Sequence, residues 1–207
     1  MKMRTFTMTL VLTLTVWLLA APLMTGCGKE QVSDSNTNNV ENVRRDATGG
    51  TASSMNTIKT AVVEILGENY WPDKQLTKEE LETETGITPD MYEEYLAEKQ
   101  NVETDIDTMI IIKAKADELS EIETLLNDYR ESLMIKYRDR PQELGKVEAS
   151  RIEIIDTYIC FVQLGADTTQ AAKAGDEKVI TLCQQENERA VDMIEKTIFD
   201  SLIHSDS

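Results

Sequence analysis

Apolar positions after residue 56 recur at helical spacing, and they predict the first elements of a folded domain. Between residues 57 and 66 the apolar residues return every three or four positions, and Gly67 is placed to end a helix there. Thr77, followed three positions later by Glu80, matches the capping box that begins a second helix. These patterns predict a helical N-terminal part of the domain.

The apolar spacing then changes from that of a helix to that of a strand. A short helix is predicted over 88–99, because Pro89 suits a first helical turn. Over 106–112 the side chains alternate in the manner of a strand, and the residues from 109 onward are apolar on both faces. A long amphipathic helix follows and is predicted to end before Pro141.

Two β-rich runs complete the predicted sheet. RIEIID and YICFVQL flank Asp156–Thr157 and predict a hairpin. A strand–helix–strand crossover followed by a hairpin places the last strand in the middle, and the apolar run 158–164 suits that position. A closing helix is predicted over 176–202. The predicted fold class is α+β, with a small three-stranded β-α-β-β sheet of order 1-3-2, amphipathic helices packed on it and a long C-terminal helix.

The first 26 residues have a different character and predict export. Lys2 and Arg4 precede an apolar run over roughly residues 8–23, which Pro22 interrupts near its end. This run is short for a membrane span, which needs about 20 apolar residues. A positive start, an apolar core and small residues after it are typical of a secretory signal peptide.

The end of this leader resembles the lipobox of bacterial lipoproteins. In that family pattern, which LMTGC at 23–27 resembles, the cysteine thiol is joined to diacylglycerol and the chain is cleaved before the cysteine. The resemblance implies cleavage between Gly26 and Cys27, and a lipid on Cys27 that holds the chain at the extracytoplasmic face of the cell membrane. Two acyl chains, at about 0.8 kcal/mol for each buried methylene, make a stable anchor. An ordinary signal peptide with an incidental cysteine, or an uncleaved anchor, are the alternatives.

The chain is strongly acidic, and this narrows its partners. Cleavage before Cys27 would remove two of the 21 Lys and Arg residues and none of the 38 Asp and Glu residues, which gives a net charge of −19. Such a charge opposes nucleic-acid binding, which needs basic patches. Solubility and self-repulsion account for the charge most simply, and a surface for cationic partners or divalent ions is the alternative.

The domain organisation follows from composition. Residues 28–56 lack aromatic residues and are rich in Ser, Thr, Asn and Gly, so 27–56 is predicted to be a lipidated cysteine with a flexible polar tether. One globular domain is predicted over 57–207. Cys160 lies in an apolar run and is expected to be a small buried residue, and a disulfide with Cys183 is the alternative.

Three stretches of the domain resemble a known family. They begin AVVEILGENYWPDKQ, DTMIIIKAKADELSE and VEASRIEIIDTYICF, and they are similar to short exported lipoproteins of Clostridium-type Gram-positive bacteria, a family catalogued only as a domain of unknown function. The resemblance covers about 57–166, so 167–207 is a C-terminal helical extension of it. It implies export, anchoring and a mixed helix–sheet domain, and it transfers no active site.

A few residue groups are candidates for chemistry, and each has a simpler structural interpretation. Asp105 and Asp107 could bind a divalent ion, although two acids at a strand edge are usually solvated. Tyr70-Trp71-Pro72 could be an exposed aromatic platform for a sugar or peptide, but such a triplet more often packs a loop onto its own core. The acid-rich helix 78–84, with the glutamates of the next segment, lacks the spacing of a calcium loop. His204, three residues from the end, is expected to be solvated.

The absence of a catalytic motif shapes the functional prediction. The sequence contains no Gly-x-Ser-x-Gly, no His-Glu-x-x-His and no glycine-rich phosphate loop. No metal, cofactor or enzymatic activity is predicted. The leading hypothesis is a membrane-anchored, non-enzymatic module that binds an envelope protein or polymer. The alternatives are a small-ligand-binding lipoprotein and, third, a hydrolase that relies on two carboxylates.

Overall fold

The computed structural model describes residues 54–101 and 106–205, which form one mixed helix and strand domain. The sequence-predicted signal peptide, Gly26 and Cys27 lie outside these residues. In chain order the elements are α1 (Ser54–Leu66), a 3₁₀ turn (Gly67–Asn69), β1 (Lys74–Gln75), α2 (Lys78–Thr85), β2 (Tyr92–Lys99), β3 (Thr108–Ala114), α3 (Leu119–Tyr137), α4 (Pro141–Glu148), β4 (Arg151–Ile155), β5 (Tyr158–Gln163), α5 (Thr169–Lys173) and α6 (Asp176–Ser205).

The strands form one antiparallel sheet in the order β1-β2-β3-β5-β4. β3 and β5 lie inside the sheet and are covered on both faces, which accounts for their continuous apolar sequence. The three predicted strands are β3, β4 and β5, and β5 lies between the other two as predicted. The prediction of a three-stranded sheet is wrong, because β1 and β2 extend it beyond β3.

The segment predicted as a helix over 88–99 is instead strand β2. Glu, Leu and Ala favour a helix locally, but helix propensity is a weak preference that tertiary pairing overrides. Every residue from Tyr95 to Lys99 has a partner on β3, and an irregularity between Tyr92 and Glu94 interrupts the register. Leu96 and Ala97 face opposite sides of the sheet and both are buried. Burial on two faces decides the conformation of this segment.

The sheet separates two apolar cores. On the α3 face, Ile110 and Ile112 of β3 pack with residues of α3 such as Ile122. On the α6 face, Met109 and Ile111 pack with α1 and α6. The period of two along β3 therefore divides its side chains between two layers of helices. The C-terminal extension predicted from the family resemblance is a structural part of the domain, since α6 packs with α1 against one face of the sheet.

Several helix ends agree with their local sequence signals. The predicted capping box is confirmed: Thr77 Oγ1 accepts from the Glu80 N–H at 3.2 Å, and a Glu80 oxygen accepts from the Thr77 N–H at 3.0 Å. α3 ends before Pro141, as predicted, and Pro141 then begins α4, a short helix that the sequence analysis did not predict. α1 begins at Ser54, three residues before the predicted domain boundary. None of the helices in this described part of the chain combines the length and apolarity needed to cross a membrane.

Candidate functional site

A cleft of about 610 Å³ lies between the C-terminal half of α3 and the end of the sheet where β2 stops, β3 starts and β5 stops. Apolar side chains of Ile106 and Leu133 contribute to its walls, together with polar and charged groups from six different segments of the chain. Its lining residues are Lys74, Glu84, Lys99, Gln100, Asn101, Ile106, Thr108, Tyr129, Ser132, Leu133, Lys136, Tyr137 and Gln163.

Strand register builds one wall of this cleft. Lys74 of β1 pairs with Lys99 of β2, Lys99 pairs with Thr108 of β3, and Thr108 pairs with Gln163 of β5. Directly opposed residues of antiparallel strands point to the same face of a sheet. These four residues, which we call the polar row, therefore present their side chains side by side across four strands. All four line the cleft.

Gln163 is the most unusual member of the polar row. Its side chain is 0% exposed, and its Nε2 donates to the Ile106 carbonyl at 2.6 Å. That bond fixes the amide orientation, because a carbonyl oxygen accepts only from the NH₂ group. The other amide atom, Oε1, has no hydrogen-bond partner within the described residues. A buried acceptor left without a donor costs about 1–3 kcal/mol.

A second unpartnered acceptor lies at the same cleft. Among the residues that the structure describes, four buried side-chain polar atoms lack a partner, and they belong to Tyr92, Gln100, Arg130 and Gln163. Two of these four, the amide oxygens of Gln100 and Gln163, belong to cleft residues. Both are acceptors, and both are buried atoms of residues that line the cleft.

The cleft carries more positive than negative side chains, in contrast to the acidic chain as a whole. Lys74 binds Glu80 at 2.6 Å, and Lys99 pairs with Glu84, the only acid that lines the cleft among the described residues. The hydrogen bond to Glu80 raises the pKa of Lys74, so its ammonium stays charged. Lys136 Nζ lies 5.1 Å from the centre of the Tyr137 ring, and Lys136 forms no ion pair with a carboxylate in the described part of the chain.

Tyr129 supplies an aromatic surface and a neutral hydroxyl. Its ring packs edge-on against Phe161, with 5.4 Å between ring centres and an interplanar angle of 69°. Burial, followed by the negative charge of Glu84, raises the pKa of Tyr129 above its ordinary value. Its hydroxyl therefore remains protonated at neutral pH, and it is hydrogen-bonded to the Thr108 side chain.

A fully paired polar cluster lies directly beside the cleft, at the start of β3. Lys146 Nζ of α4 lies 2.7 Å from Asp107 Oδ1, and the two side chains are 7% and 0% exposed. Asp107 Oδ2 accepts from the Gly165 N–H at 2.8 Å, and Nζ lies 5.1 Å from the centre of the Trp71 ring. The cluster of these four residues joins α4, β3 and the ends of two loops.

Gly165 is required in this cluster for space. A Cβ built on Gly165 would lie 2.8 Å from Lys146 Cε and 2.9 Å from Nζ, closer than carbon atoms approach without displacement. Both contacts are with the end of the Lys146 side chain, which would have to shift beside Asp107. The absence of a side chain at 165 therefore allows a buried ion pair to form.

The candidate residues from the sequence have mixed outcomes. Asp107 is engaged by Lys146 and Gly165, while Asp105 lies outside the described residues. Among the residues that the structure does describe, no group of three or more His, Cys, Asp or Glu could hold a metal ion. His204 Nδ1 contacts the Asp200 carbonyl at 2.6 Å on the last turns of α6.

Tyr70 and Trp71 pack on the domain itself rather than forming an exposed platform. The Trp71 ring covers Lys146, and its Nε1 donates to the Glu68 carbonyl at 2.6 Å. Tyr70 donates its hydroxyl to Glu98 at 2.6 Å, and Glu98 is buried and also pairs with Lys59. Burial and the hydrogen bond to Glu98 raise the pKa of Tyr70.

The two cysteines in the described chain are free and buried, so they are not paired with each other. Cys160 lies in β5 and Cys183 in α6, and burial raises the pKa of the first thiol to about 12 and of the second to about 11. Both behave as small core residues. The predicted lipidation site, Cys27, lies outside the described residues, as does Gly26.

Sequence reasoning missed Gln163, Gln100 and Lys146. A signal was available for Gln163, since it is the one strongly polar residue in the run YICFVQL. For Lys146 there was none, because its helix was not predicted. The polar row could not be read from the chain, since its members span residues 74–163 and meet only through strand register.

Comparison with known proteins gives one match, which covers part of the chain. Residues 66–164 match the family model described as Domain of unknown function (DUF4358). This agrees with the expected likeness to an uncharacterised domain. No curated protein and no solved structure matches the chain. The match contains the whole polar row, while α6 and all of α1 except Leu66 lie outside it.

Proposed function

We propose that this protein is a non-enzymatic binding protein, anchored at the extracytoplasmic face of the membrane through a lipid on Cys27, whose cleft takes a small anionic molecule that carries hydroxyl or amide donors. The observation that carries this proposal is the buried Gln163 Oε1, which has no donor in the described chain and belongs to a cleft residue. A bound donor would remove the cost of leaving this acceptor unpaired.

The expected charge of the ligand comes from the lysines of the cleft. Lys74 and Lys99 each have one carboxylate partner, while Lys136 has none within the described residues. An ammonium group can donate three hydrogen bonds. A carboxylate or phosphate at the mouth of the cleft would use donors that the protein leaves available. Hydroxyl or amide groups of the same ligand would then reach the two glutamine oxygens.

The small number of acids in the cleft favours ligand binding over hydrolysis. A carboxylate-dependent hydrolase needs two converging acids with different pKa values. Glu84 is the one acid among the described lining residues, and it is paired with Lys99. This arrangement gives a carboxylate that balances a lysine, and it supports the small-ligand hypothesis among the three drawn from the sequence.

Anchoring is supported by the sequence alone. The leader, the lipobox-like LMTGC and the polar segment 28–56 together suit a domain held on a lipid. A random coil of about 29 residues spans on the order of 30 Å. The domain would remain close to the membrane while its cleft stays open to the surrounding medium.

The ligand is tested with a small set of related probes. Glucuronate and glucose 6-phosphate combine an anion with hydroxyl donors, glucose lacks the anion, and inorganic phosphate lacks the sugar hydroxyls. Using the chain with Cys27→Ala, we expect calorimetry and amide chemical-shift changes to show binding of an anionic sugar at least about tenfold tighter than that of glucose or phosphate.

Matched variants assign any binding to the cleft. Gln163→Leu should weaken binding at least about tenfold, which corresponds to roughly 1.4 kcal/mol. Gln170→Leu, an exposed glutamine on α5, should leave the affinity unchanged. Equal binding by both variants, or equal binding of glucose and its anionic derivatives, would contradict the proposed site.

The anchor is tested separately in cells. We expect the wild-type chain to incorporate an alkyne-labelled fatty acid and to sediment with membranes, and Cys27→Ala to lose the label. A chain that keeps both properties without Cys27 would be anchored in another way. Crosslinking of the same two chains in intact cells, followed by mass spectrometry, would identify any envelope protein that depends on anchoring.

A further inference from the structure

The strand β4 forms an open edge of the sheet. β4 pairs with β5 on one side, and the sheet order ends there. No other backbone hydrogen bond joins Arg151–Ile155 to a further strand among the described residues. An edge strand of this kind presents unpaired N–H and C=O groups to which another strand can bind.

One flank of this edge is an acidic stripe on α6. Glu188, Asp192 and Glu195 follow at spacings of four and three, so they share one side of the helix, and with β4 they line a groove of about 220 Å³. Glu153 and Asp156 of the β4–β5 hairpin complete the acidic lining.

This groove has a large excess of negative charge. Among the described residues, five carboxylates line it against one cation, Arg151, which pairs with Glu153 at 3.2 Å and with Glu188. Asp156, Asp192 and Glu195 have no basic partner within the described residues. The field of the groove therefore favours a cationic occupant.

The pleat of β4 gives its two faces different chemistry. Ile155 packs in the core of the α6 face, so Arg151 and Glu153, which alternate with it, also lie on that face. Ile154 lies on the opposite face and is 43% exposed. Phe199 of α6 is 44% exposed and lines the acidic groove at its far end. An added strand would meet acids on one face and an isoleucine on the other.

We propose that β4 binds an extended segment of a partner protein in which basic and apolar residues alternate. Backbone hydrogen bonds to β4 would give affinity, and the alternation would give specificity. Basic side chains would lie over the α6 stripe, and apolar side chains would lie against Ile154. A second copy of this chain is a poor occupant, because pairing two β4 edges brings two acidic stripes together.

The probe is a blocked hexapeptide that alternates Lys and Val. With the whole chain carrying Cys27→Ala, we expect the amide signals of residues 151–155 to shift when the peptide binds. The affinity should fall clearly between 50 and 500 mM salt, because salt screens the attraction between the peptide and the acidic groove. A peptide with three lysines followed by three valines has the same charge and should bind at least about tenfold more weakly. Equal binding would overturn the proposal.

Backbone pairing is tested with two further peptides. N-methylation of one alternate set of peptide N–H groups should abolish binding, while methylation of the other set, which faces away from β4, should be tolerated. If both methylated peptides bound with the same affinity, charge alone would account for the attraction, and the proposed strand addition would be overturned.

Protein variants locate the surface. Glu195→Lys should weaken binding about tenfold, and Phe199→Ala should weaken it less. Asp128→Lys makes the same change of charge at an exposed residue of α3, and it should have no effect on binding. Unchanged binding by Glu195→Lys would place the peptide elsewhere. Concentration-dependent dimerisation of the peptide-free chain, with amide shifts over residues 151–155, would assign the edge to a second copy instead. Thermal unfolding of each variant confirms that it is folded.

Discussion

Two buried polar regions lie next to each other in this domain and differ in how completely they are paired. Asp107 and Gln163 are both 0% exposed. Asp107 has Lys146 on one oxygen and the Gly165 N–H on the other, whereas Gln163 uses its NH₂ group and leaves Oε1 without a partner in the described chain.

This difference distinguishes a polar group that stabilises the fold from one that is available to bind a ligand. A polar group that the chain pairs completely holds elements together, as Asp107 does for α4, β3 and the segment after β5. A group that the chain pairs by half keeps capacity for something else, and Gln163 belongs to the cleft. Asp107 belongs to the segment 106–108 that leads into β3, and Gln163 contacts the same segment through the Ile106 carbonyl and by pairing with Thr108. The four predictions that follow test this comparison.

The largest effect should come from breaking the paired cluster. Lys146→Ala leaves the Asp107 carboxylate buried without its cation, which costs about 3–5 kcal/mol in comparable sites. Urea denaturation measures the loss in free energy of unfolding. Lys196→Ala, which removes an exposed pair with Asp200, should cost less than about 0.5 kcal/mol. A similar small loss for Lys146→Ala would mean that water reaches Asp107 and that the pair is not structural.

Gly165→Ala should have the next largest effect, by displacing Lys146 from Asp107. Overpacking of a buried site costs typically about 1–3 kcal/mol. Because the clash is with the lysine side chain, the cost should shrink when Lys146→Ala is already present. A double-mutant cycle in urea measures this coupling. Additive losses would show that the glycine is needed for the backbone and not for the ion pair.

The third prediction concerns the Cys183 thiol, a buried group that is neutral and so has no charge for a partner to balance. The Cys183 thiol, packed with Ala149 and Val179, has its pKa raised from 9.0 to about 11, first by burial. The folded state therefore holds this proton more tightly than the unfolded state does. The stability that the protonated thiol contributes is complete below pH 9.0 and is lost as the pH rises through about 11, a change of roughly 3 kcal/mol in the free energy of unfolding.

Comparison with Cys183→Ala isolates this thiol from the tyrosines and lysines that titrate in the same range. The difference in unfolding free energy between the two proteins should fall from pH 8 to pH 11. A constant difference would show that the thiol is accessible in the folded state.

The smallest effect on stability should come from Gln163→Leu. The substitution removes the bond to the Ile106 carbonyl but also removes an unpaired acceptor, so the two changes offset each other to within about 1 kcal/mol. Ligand binding should be lost at the same time. A stability loss as large as that of Lys146→Ala would mean that Gln163 is structural, and the contrast between the two regions would fail.

Local patterns predicted the parts of the fold that depend on local physics. The Thr77 capping box, the end of α3 before Pro141 and the buried strand β3 all follow from short stretches of chain. The same reasoning failed for β2, where Glu, Leu and Ala indicated a helix and pairing with β3 decided otherwise. The cleft could not be predicted, because Lys74 and Gln163 meet only through the register of four strands.

By itself the sequence determined the acidic charge, the apolar runs of β3 and β5 and several helix ends, since these depend on residues within a few positions of one another. It also predicts the leader and the lipid on Cys27. The tertiary structure alone decided that Asp107 is paired by Lys146, 39 residues away, and that Gln163 is left half-paired at a cleft. The reason is that burial and strand register, which bring distant residues together, determine whether a polar group finds its partner within the chain.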